Sequence, residues 1–156
     1  MKSNKCVLFA MLSMVVVLTS AGLVYAAPLN VDTITDDVAK TACDDATEND
    51  CSLRGALIAA NARPVTENTI FNVPAGTYIL TQVNRCDYIS NQGISQFVNT
   101  SALCFAGNLT LVGAGATEVI IDGNASDRVM LVGNNGPVTI RGVTIRNGRA
   151  SGGAGG

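Results

Sequence analysis

"PVTIRGVTIRNG", residues 137–148, contains two nearly identical Val-Thr-Ile-Arg runs that only Gly142 separates. Alternating aliphatic and polar residues are typical of a β-strand with one buried face. The runs are too close together to be the arms of a hairpin, so a sharp bend at Gly142 between two short strands is predicted. The inward residues would be Val138, Ile140, Val143 and Ile145, and the outward residues Thr139, Arg141, Thr144 and Arg146.

Similar short runs precede this stretch, at "NLTLVGAG", "TEVIIDGN" and "DRVMLVGNNG", and each ends in Gly or Asn-Gly. Two all-β architectures compete. An antiparallel β-meander would use the Asn-Gly pairs as hairpin turns, whereas a right-handed parallel β-helix would stack short strands coil on coil. The shortness of the runs and the close repeat around Gly142 favour the β-helix, with its first coils in residues 108–156.

The stretch "CSLRGALIAANARP", residues 51–64, predicts a short amphipathic helix over 53–62. Ser52 or Asp50 can cap its start, and Pro64 ends it because the residue before proline avoids helical geometry. A helix this short needs an apolar partner, and the open first coil of a β-helix needs a cover against edge-to-edge association. We therefore predict a capping α-helix. Its apolar face is formed by Leu53, Ala56, Leu57 and Ala60.

The helix belongs to a predicted N-terminal cap region, residues 27–107. A short first strand is expected near 29–33, and two strand-like runs, 69–72 and 77–82, flank a Pro-Ala-Gly turn. Residues 84–107 show no clear period, and this segment predicts a disulfide-tied loop or insertion.

The N-terminus carries a secretory pattern in residues 1–26. Lys2 and Lys5 precede an apolar run, and small residues at 24 and 26 mark a cleavage site. The run is shorter than the ~20 residues of a membrane-spanning helix, so the mature chain is predicted to have no membrane span. We expect an exported protein with a mature chain of about 130 residues, one small domain.

Composition narrows the functional classes. The chain has 10 Lys and Arg, 12 Asp and Glu, no His and a net charge of −2. Nucleic-acid binding is disfavoured because it relies on clustered basic residues. The absence of His disfavours His-based catalysis and His-ligated metals. No cofactor is predicted, although the acidic stretch 44–50 makes Ca²⁺ a weak candidate, because hard cations prefer carboxylates.

An even number of cysteines remains after signal cleavage, which in an exported chain predicts two disulfides. Three connectivities are open to four cysteines. Proximity along the chain favours Cys43–Cys51 and Cys86–Cys104.

"CSLRGALIAANA" resembles the motif that names the CSLREA domain, which occurs near the N-terminus of exported bacterial proteins with right-handed parallel β-helices. The similarity extends over "VDTITDDVAKTACDDATENDCSLR", "NTIFNVPAGTYILT" and "VTIRGVTIRNGRASGGAGG". It implies a secreted, cell-surface or outer-membrane protein, adhesin-like and repetitive, with some likeness to polymorphic outer-membrane proteins.

One residue departs from that pattern. The family has Glu where this chain has Gly55. A Glu there would complete a capping box with Ser52, and Gly carries a helix penalty of about 1 kcal/mol against Ala. We therefore expect a frayed first helical turn, and a slight stabilisation by Gly55→Glu.

Two functions from different classes follow. The first is a non-enzymatic structural or adhesive module of a longer solenoid, with a carbohydrate or a host or cell-surface ligand as candidate partner. The alternative is the N-terminal part of a carbohydrate-active, polysaccharide lyase-like enzyme with carboxylates, often with Ca²⁺, and an Arg or Lys base on one outer face. Arg141 and Arg146 form the candidate ligand face. The other candidates for such a site are Asp122, Asp127 and Arg128.

The predicted β-helix part holds about two coils, whereas solenoids need three or more repeats for stability. The sequence pattern therefore predicts a truncated solenoid, a fragment of a longer protein.

Overall fold

The computed structural model describes residues 26–89, 95–100, 102–133 and 136–149. The predicted signal peptide, apart from its last residue, and the Gly-rich residues 150–156 lie outside these ranges. The chain is rich in β-strands and has one helix among the described residues. The elements are β1 Leu29–Asn30, α1 Leu53–Asn61, β2 Thr69–Val73, β3 Gly76–Ile79, β4 Asn84–Ile89, β5 Ser95–Thr100, β6 Leu103–Phe105, β7 Leu109–Gly113, β8 Val119–Asp122, β9 Met130–Val132, β10 Val138–Arg141 and β11 Thr144–Arg146.

Most of the strands form parallel sheets. The first sheet has the order β1-β2-β7-β10, the second has β3-β8-β11, and the third pairs β6 with β9. The chain visits the sheets in succession, from β2 to β3 and later β6, then from β7 through β8 to β9, then from β10 to β11. The antiparallel meander is therefore wrong, because strands from successive rounds pair in parallel with one another.

The register aligns apolar side chains from strand to strand. In the first sheet Phe71 pairs with Leu111, which pairs in turn with Ile140. In the second sheet Tyr78 pairs with Ile121, which pairs with Ile145. Side chains on one face of a strand recur every second residue, so a fixed register builds continuous apolar columns. These columns form the core together with the helix.

The inward pattern predicted at 137–148 holds in part. Val138, Ile140 and Val143 are half-buried and pack against the core. Ile145 is an exception, because it is 47% exposed. It continues a buried column, but β11 is an edge strand with no further strand beyond it among the described residues.

The bend between β10 and β11 needs glycine. Gly142 has φ +68°, in the left-handed region that favours glycine. A β-carbon on residue 142 would also overlap the carbonyl oxygen of Gly113 on β7. The sharp bend predicted there is present for both reasons.

The cysteine-bearing segment differs from the expected loop. β4 and β5 pair in antiparallel register from Asn84↔Thr100 to Ile89↔Ser95, and β6 joins the third sheet. The loop alternative is therefore wrong for this segment, whereas the predicted tie between Cys86 and Cys104 is present and the β4–β5 pair lies outside the three parallel sheets, as the alternative of an insertion would have it.

The second predicted run also ends earlier than residue 82. The strand stops at Ile79 because the backbone N–H groups of Thr81 and Gln82 turn to the carboxylate of Asp36, at 2.6 and 2.7 Å.

Candidate functional site

The helix lies against the end strands of two sheets. α1 contacts β1, β2 and β6, and its four predicted face residues are all buried: Leu53, Ala56, Leu57 and Ala60. It ends at Asn61, one residue before the predicted boundary, with Ala62 as its C-cap and Pro64 shortly after. The helical spacing of small and branched apolar residues accounts for this packing.

Polar helix residues also satisfy backbone groups of β6, an edge strand of the third sheet, and of the residues on either side of it. The amide of Asn61 donates to the carbonyl oxygen of Cys104 at 2.6 Å and accepts from the N–H of Ala106 at 3.1 Å. Arg54 Nη1 donates to the carbonyl oxygen of Ala102 at 3.1 Å. A neighbouring strand would make the same kinds of hydrogen bond, so these two side chains take the place of a neighbouring strand.

Arg54 forms a buried ion pair that the sequence reading missed. Its side chain is 1% exposed, and Nε donates to Asp36 Oδ1 at 2.6 Å while Nη2 donates to Oδ2 at 3.1 Å. Asp36 also accepts hydrogen bonds from the N–H groups of Thr81 and Gln82, shortly after β3. The pair therefore joins the helix, the N-terminal segment and the chain that follows β3. The helical spacing did indicate that Arg54 is buried, because Arg54 lies three residues before Leu57 and therefore on the same side of the helix.

The start of the helix is ordered, which contradicts the expected frayed turn. Ser52 Oγ accepts from the N–H of Gly55 at 2.9 Å and donates to the carbonyl oxygen of Asp37. Gly55 is buried against the carbonyl group of Lys40, and a β-carbon there would overlap that oxygen and lie 2.5 Å from its carbon. The expected stabilisation by Gly55→Glu is therefore wrong, since any side chain at 55 displaces the backbone.

Two cysteine pairs are at disulfide distance, with the connectivity that chain proximity favoured. Cys43 and Cys51 have α-carbons 4.4 Å apart, and those of Cys86 and Cys104 are 5.7 Å apart. The first pair fixes the residue that precedes the helix cap. The second joins β4 to β6, the strand that the helix covers.

The candidate ligand face is divided between two sheets. Arg141 ends β10 in the first sheet, and Arg146 ends β11 in the second. The bend at Gly142 separates them, so the structure does not place them side by side on adjoining strands of one sheet. Both are exposed.

Asp122 holds Arg146 in place. Its Oδ2 accepts from Arg146 Nε at 2.8 Å, and both of its oxygens accept from the amide of Asn147. The N–H of Asn124 donates to Oδ1 at 2.9 Å. That backbone bond, followed by those from Arg146 and Asn147, lowers the pKa of Asp122 below its usual 3.8.

The remaining enzyme candidates lie close to this network. Arg128 Nε is 3.8 Å from Asp127 Oδ1, at the edge of ion-pair distance. Asp122, the carboxylate nearest to Arg146, is engaged by three donors, which is the arrangement of a fixed structural anion.

The described residues contain no group of three or more His, Cys, Asp or Glu side chains arranged to hold a metal ion. In the acidic stretch, Asp44 caps its own turn by accepting from the N–H groups of Ala46 and Thr47. The candidate Ca²⁺ therefore stays a prediction. No helix in the described part of the chain is long and apolar enough to cross a membrane.

Comparison with protein-family models finds no match. Comparisons with curated proteins and with solved structures also find none. The CSLREA resemblance therefore rests on the quoted motifs.

Proposed function

We propose that this chain is the helix-capped N-terminal part of a right-handed parallel β-helix, exported from a bacterial cell, and that it serves as a structural or adhesive module at or beyond the cell surface. The observation that carries the proposal is the way Asn61 and Arg54 bond the backbone of Cys104 on β6 and of the residues on either side of this strand, Ala102 and Ala106. A sheet edge with free N–H and C=O groups attracts other strands. A helix that occupies those groups and buries the adjoining apolar residues prevents this.

The succession of strands supports the architecture. Short strands recur in three parallel sheets, and each round of chain adds one strand beside the previous one. This is the pattern that a solenoid of three-sided coils produces. The two cysteine pairs support export, because disulfides persist in oxidising compartments.

Capping can be tested on the helix. Leu57 is buried in the contact, so Leu57→Asp should detach the helix and cause concentration-dependent aggregation, measured by light scattering. Val65 lies just beyond the helix and is 52% exposed, so Val65→Asp is a matched control with the same charge change. If Leu57→Asp stays as monomeric as Val65→Asp, the helix does not protect the edge.

Location and activity need separate measurements. Fractionation of producing cells, with thiol trapping of the cysteines, should find the chain oxidised and outside the cytoplasm. Binding to intact cells and to polysaccharide-coated surfaces tests adhesion. A lyase assay on acidic polysaccharides with added Ca²⁺ tests the alternative, and clear turnover would replace the adhesive proposal with an enzymatic one.

A further inference from the structure

An open groove lies on the first sheet, where β1, β2 and β7 end side by side. It encloses about 340 Å³ and is lined by residues 30–31, 72–74 and 112–114. Its volume falls within the roughly 300–1,000 Å³ of small-molecule sites. We call it the asparagine groove, after Asn30 and Asn72.

Three successive rounds of the chain build this groove on the outer face of the sheet. Asn30 pairs with Asn72, which pairs with Val112, whereas the preceding residues Leu29 and Phe71 are buried in the core. Alternation along a strand therefore turns both asparagines and Val112 outward. A further round would add its strand beside β10, at the far edge of this sheet, and none of the described lining residues comes from β10 or β11. The groove therefore belongs to the side of the stack and not to its β10 end.

Three polar side chains form a hydrogen-bond chain whose direction is fixed at one end. The Asp45 carboxylate accepts from Asn30 Nδ2 at 2.9 Å, and an ionised carboxylate can only accept. Asn30 must therefore turn its amide nitrogen to Asp45 and its oxygen to Asn72, whose Nδ2 donates to that oxygen at 2.8 Å. Asn72 keeps its own amide oxygen and its second N–H for a ligand.

The rest of the lining is apolar and uncharged. Pro74, Val112 and Ala114 contribute C–H surface, and the residues that line the groove include no Asp, Glu, Lys or Arg. A charged occupant would lose hydration without meeting a counter-charge. A hydroxyl group, in contrast, can donate to the Asn72 oxygen and accept from its N–H. The occupant therefore combines hydroxyl groups with C–H surface and carries no charge.

We propose that the asparagine groove binds an uncharged sugar residue of a polysaccharide. The hydroxyls of a sugar ring donate and accept, and the C–H faces of the ring fit the aliphatic wall. An extended peptide is the competing class, but such peptides add to a sheet edge through backbone hydrogen bonds. The groove lies on a sheet face, where β2 and β7 are already paired on both sides.

This inference rests on the proposed adhesive function, since it names the ligand class of the module. The probes are tetrasaccharides of glucose, mannose and galactose, titrated into the isotope-labelled, oxidised chain while NMR follows the side-chain amide signals of Asn30 and Asn72. Tetragalacturonate supplies a charged sugar, and a blocked tetra-alanine peptide represents the competing class. We expect a neutral tetrasaccharide to shift the Asn72 amide signals and to bind about fivefold more tightly than the acid or the peptide, a difference equal to one hydrogen bond.

Variants localise the binding. Asn72→Ala removes the oxygen and the N–H offered to the ligand and should weaken binding about fivefold. Asn68→Ala is the matched control, because Asn68 is an exposed asparagine just before β2 that bonds Thr110 and lies outside the groove lining. It should leave the affinity unchanged.

Asp45→Asn tests the direction of the hydrogen-bond chain, because Asp45 does not line the groove. An amide at 45 can donate as well as accept, so the chain is free to reverse. We expect the amide signals of Asn30 and Asn72 to shift before any sugar is added, and the affinity to fall. Thermal melts of all variants verify folding.

Several outcomes would overturn the groove assignment: no binding of any neutral tetrasaccharide, equal binding of the acid or the peptide, equal losses in Asn72→Ala and Asn68→Ala, or an Asp45→Asn variant that keeps the parent's amide signals and affinity. If the chain adheres to polysaccharide-coated surfaces and Asn72→Ala leaves that adhesion intact, the groove is wrong and the adhesive function stands. If the chain binds the free sugar in solution but adheres to no cell or coated surface, the adhesive function is wrong.

Discussion

Replacing Gly55 with alanine tests how the helix is seated. Gly55 lies inside α1, where alanine would ordinarily stabilise a helix by about 1 kcal/mol. In this chain a β-carbon would overlap the carbonyl oxygen of Lys40, which is backbone and cannot rotate away. The helix would have to lift from the N-terminal segment. We therefore expect Gly55→Ala to destabilise the protein, against its helix propensity.

The magnitude follows from the contacts that must give way. Overpacking in a close-packed site destabilises by about 1–3 kcal/mol. Displacing the Lys40 carbonyl also weakens the bond that it accepts from the N–H of Ser52 at 3.2 Å, a contribution of about 0.5–1.5 kcal/mol. The gain in helix propensity offsets about 1 kcal/mol of this. The net loss in free energy of unfolding is about 0.5–3.5 kcal/mol, and Gly55→Glu should exceed it because a longer side chain enters the same space.

Urea unfolding of the oxidised chain, followed by circular dichroism, measures this loss as a lower midpoint at unchanged slope. Gly115→Ala is the control, because a β-carbon there meets nothing closer than 3.7 Å. It should be neutral, or stabilising by up to about 1 kcal/mol through the unfolded state. If Gly55→Ala proves as stable as the parent chain or more so, the close contact with Lys40 is refuted.

Three further predictions concern the ion pair, the carboxylate network and the sheet register. Arg54→Ala leaves the Asp36 carboxylate buried without its cation and should lower the free energy of unfolding by about 3–5 kcal/mol; a loss under 1 kcal/mol in urea melts would contradict the burial of the pair. Because the pKa of Asp122 is lowered in the folded chain, its contribution to stability is present above about pH 3.8 and is lost as the pH falls below that value; Asp122→Asn should therefore lose less stability between pH 6 and pH 3 than the parent chain, and an equal loss would refute the network. Ile70 pairs with Thr110 across β2 and β7, so cysteines at both positions should cross-link on mild oxidation, whereas cysteines at Ile70 and at the residue after Thr110 should not.

Local pattern predicted much of the fold. The alternation and near repeat at 137–148 gave two strands and a bend, because both are properties of neighbouring residues. The helix was predictable for the same reason, since its apolar face follows a period of 3.6 residues. The pairing of Cys86 with Cys104 followed from proximity, but the antiparallel strands around Cys86 did not, because their polar and apolar residues follow no clear period.

Features that depend on distant contacts were missed. From the sequence alone, Arg54 would be interpreted as a solvated charge, because nothing indicates that Asp36 faces it. Gly55 would be interpreted as unfavourable for the helix, because nothing indicates that the Lys40 carbonyl lies beside it. The separation of Arg141 from Arg146 depends on a single bend. In each case the deciding neighbour is distant in the chain or across a bend, where periodicity carries no information.

The two edges of the described stack differ in chemistry. At the helix side, Asn61 bonds the carbonyl oxygen of Cys104 on β6, and Arg54 bonds that of Ala102 just before the strand. At the opposite side, β10 and β11 have no further partner among the described residues, and Ile145 is exposed there. Since a free edge is a template for strand pairing, detaching the helix by Leu57→Asp would expose the backbone groups that Asn61 and Arg54 now occupy, and association should then begin at the helix side.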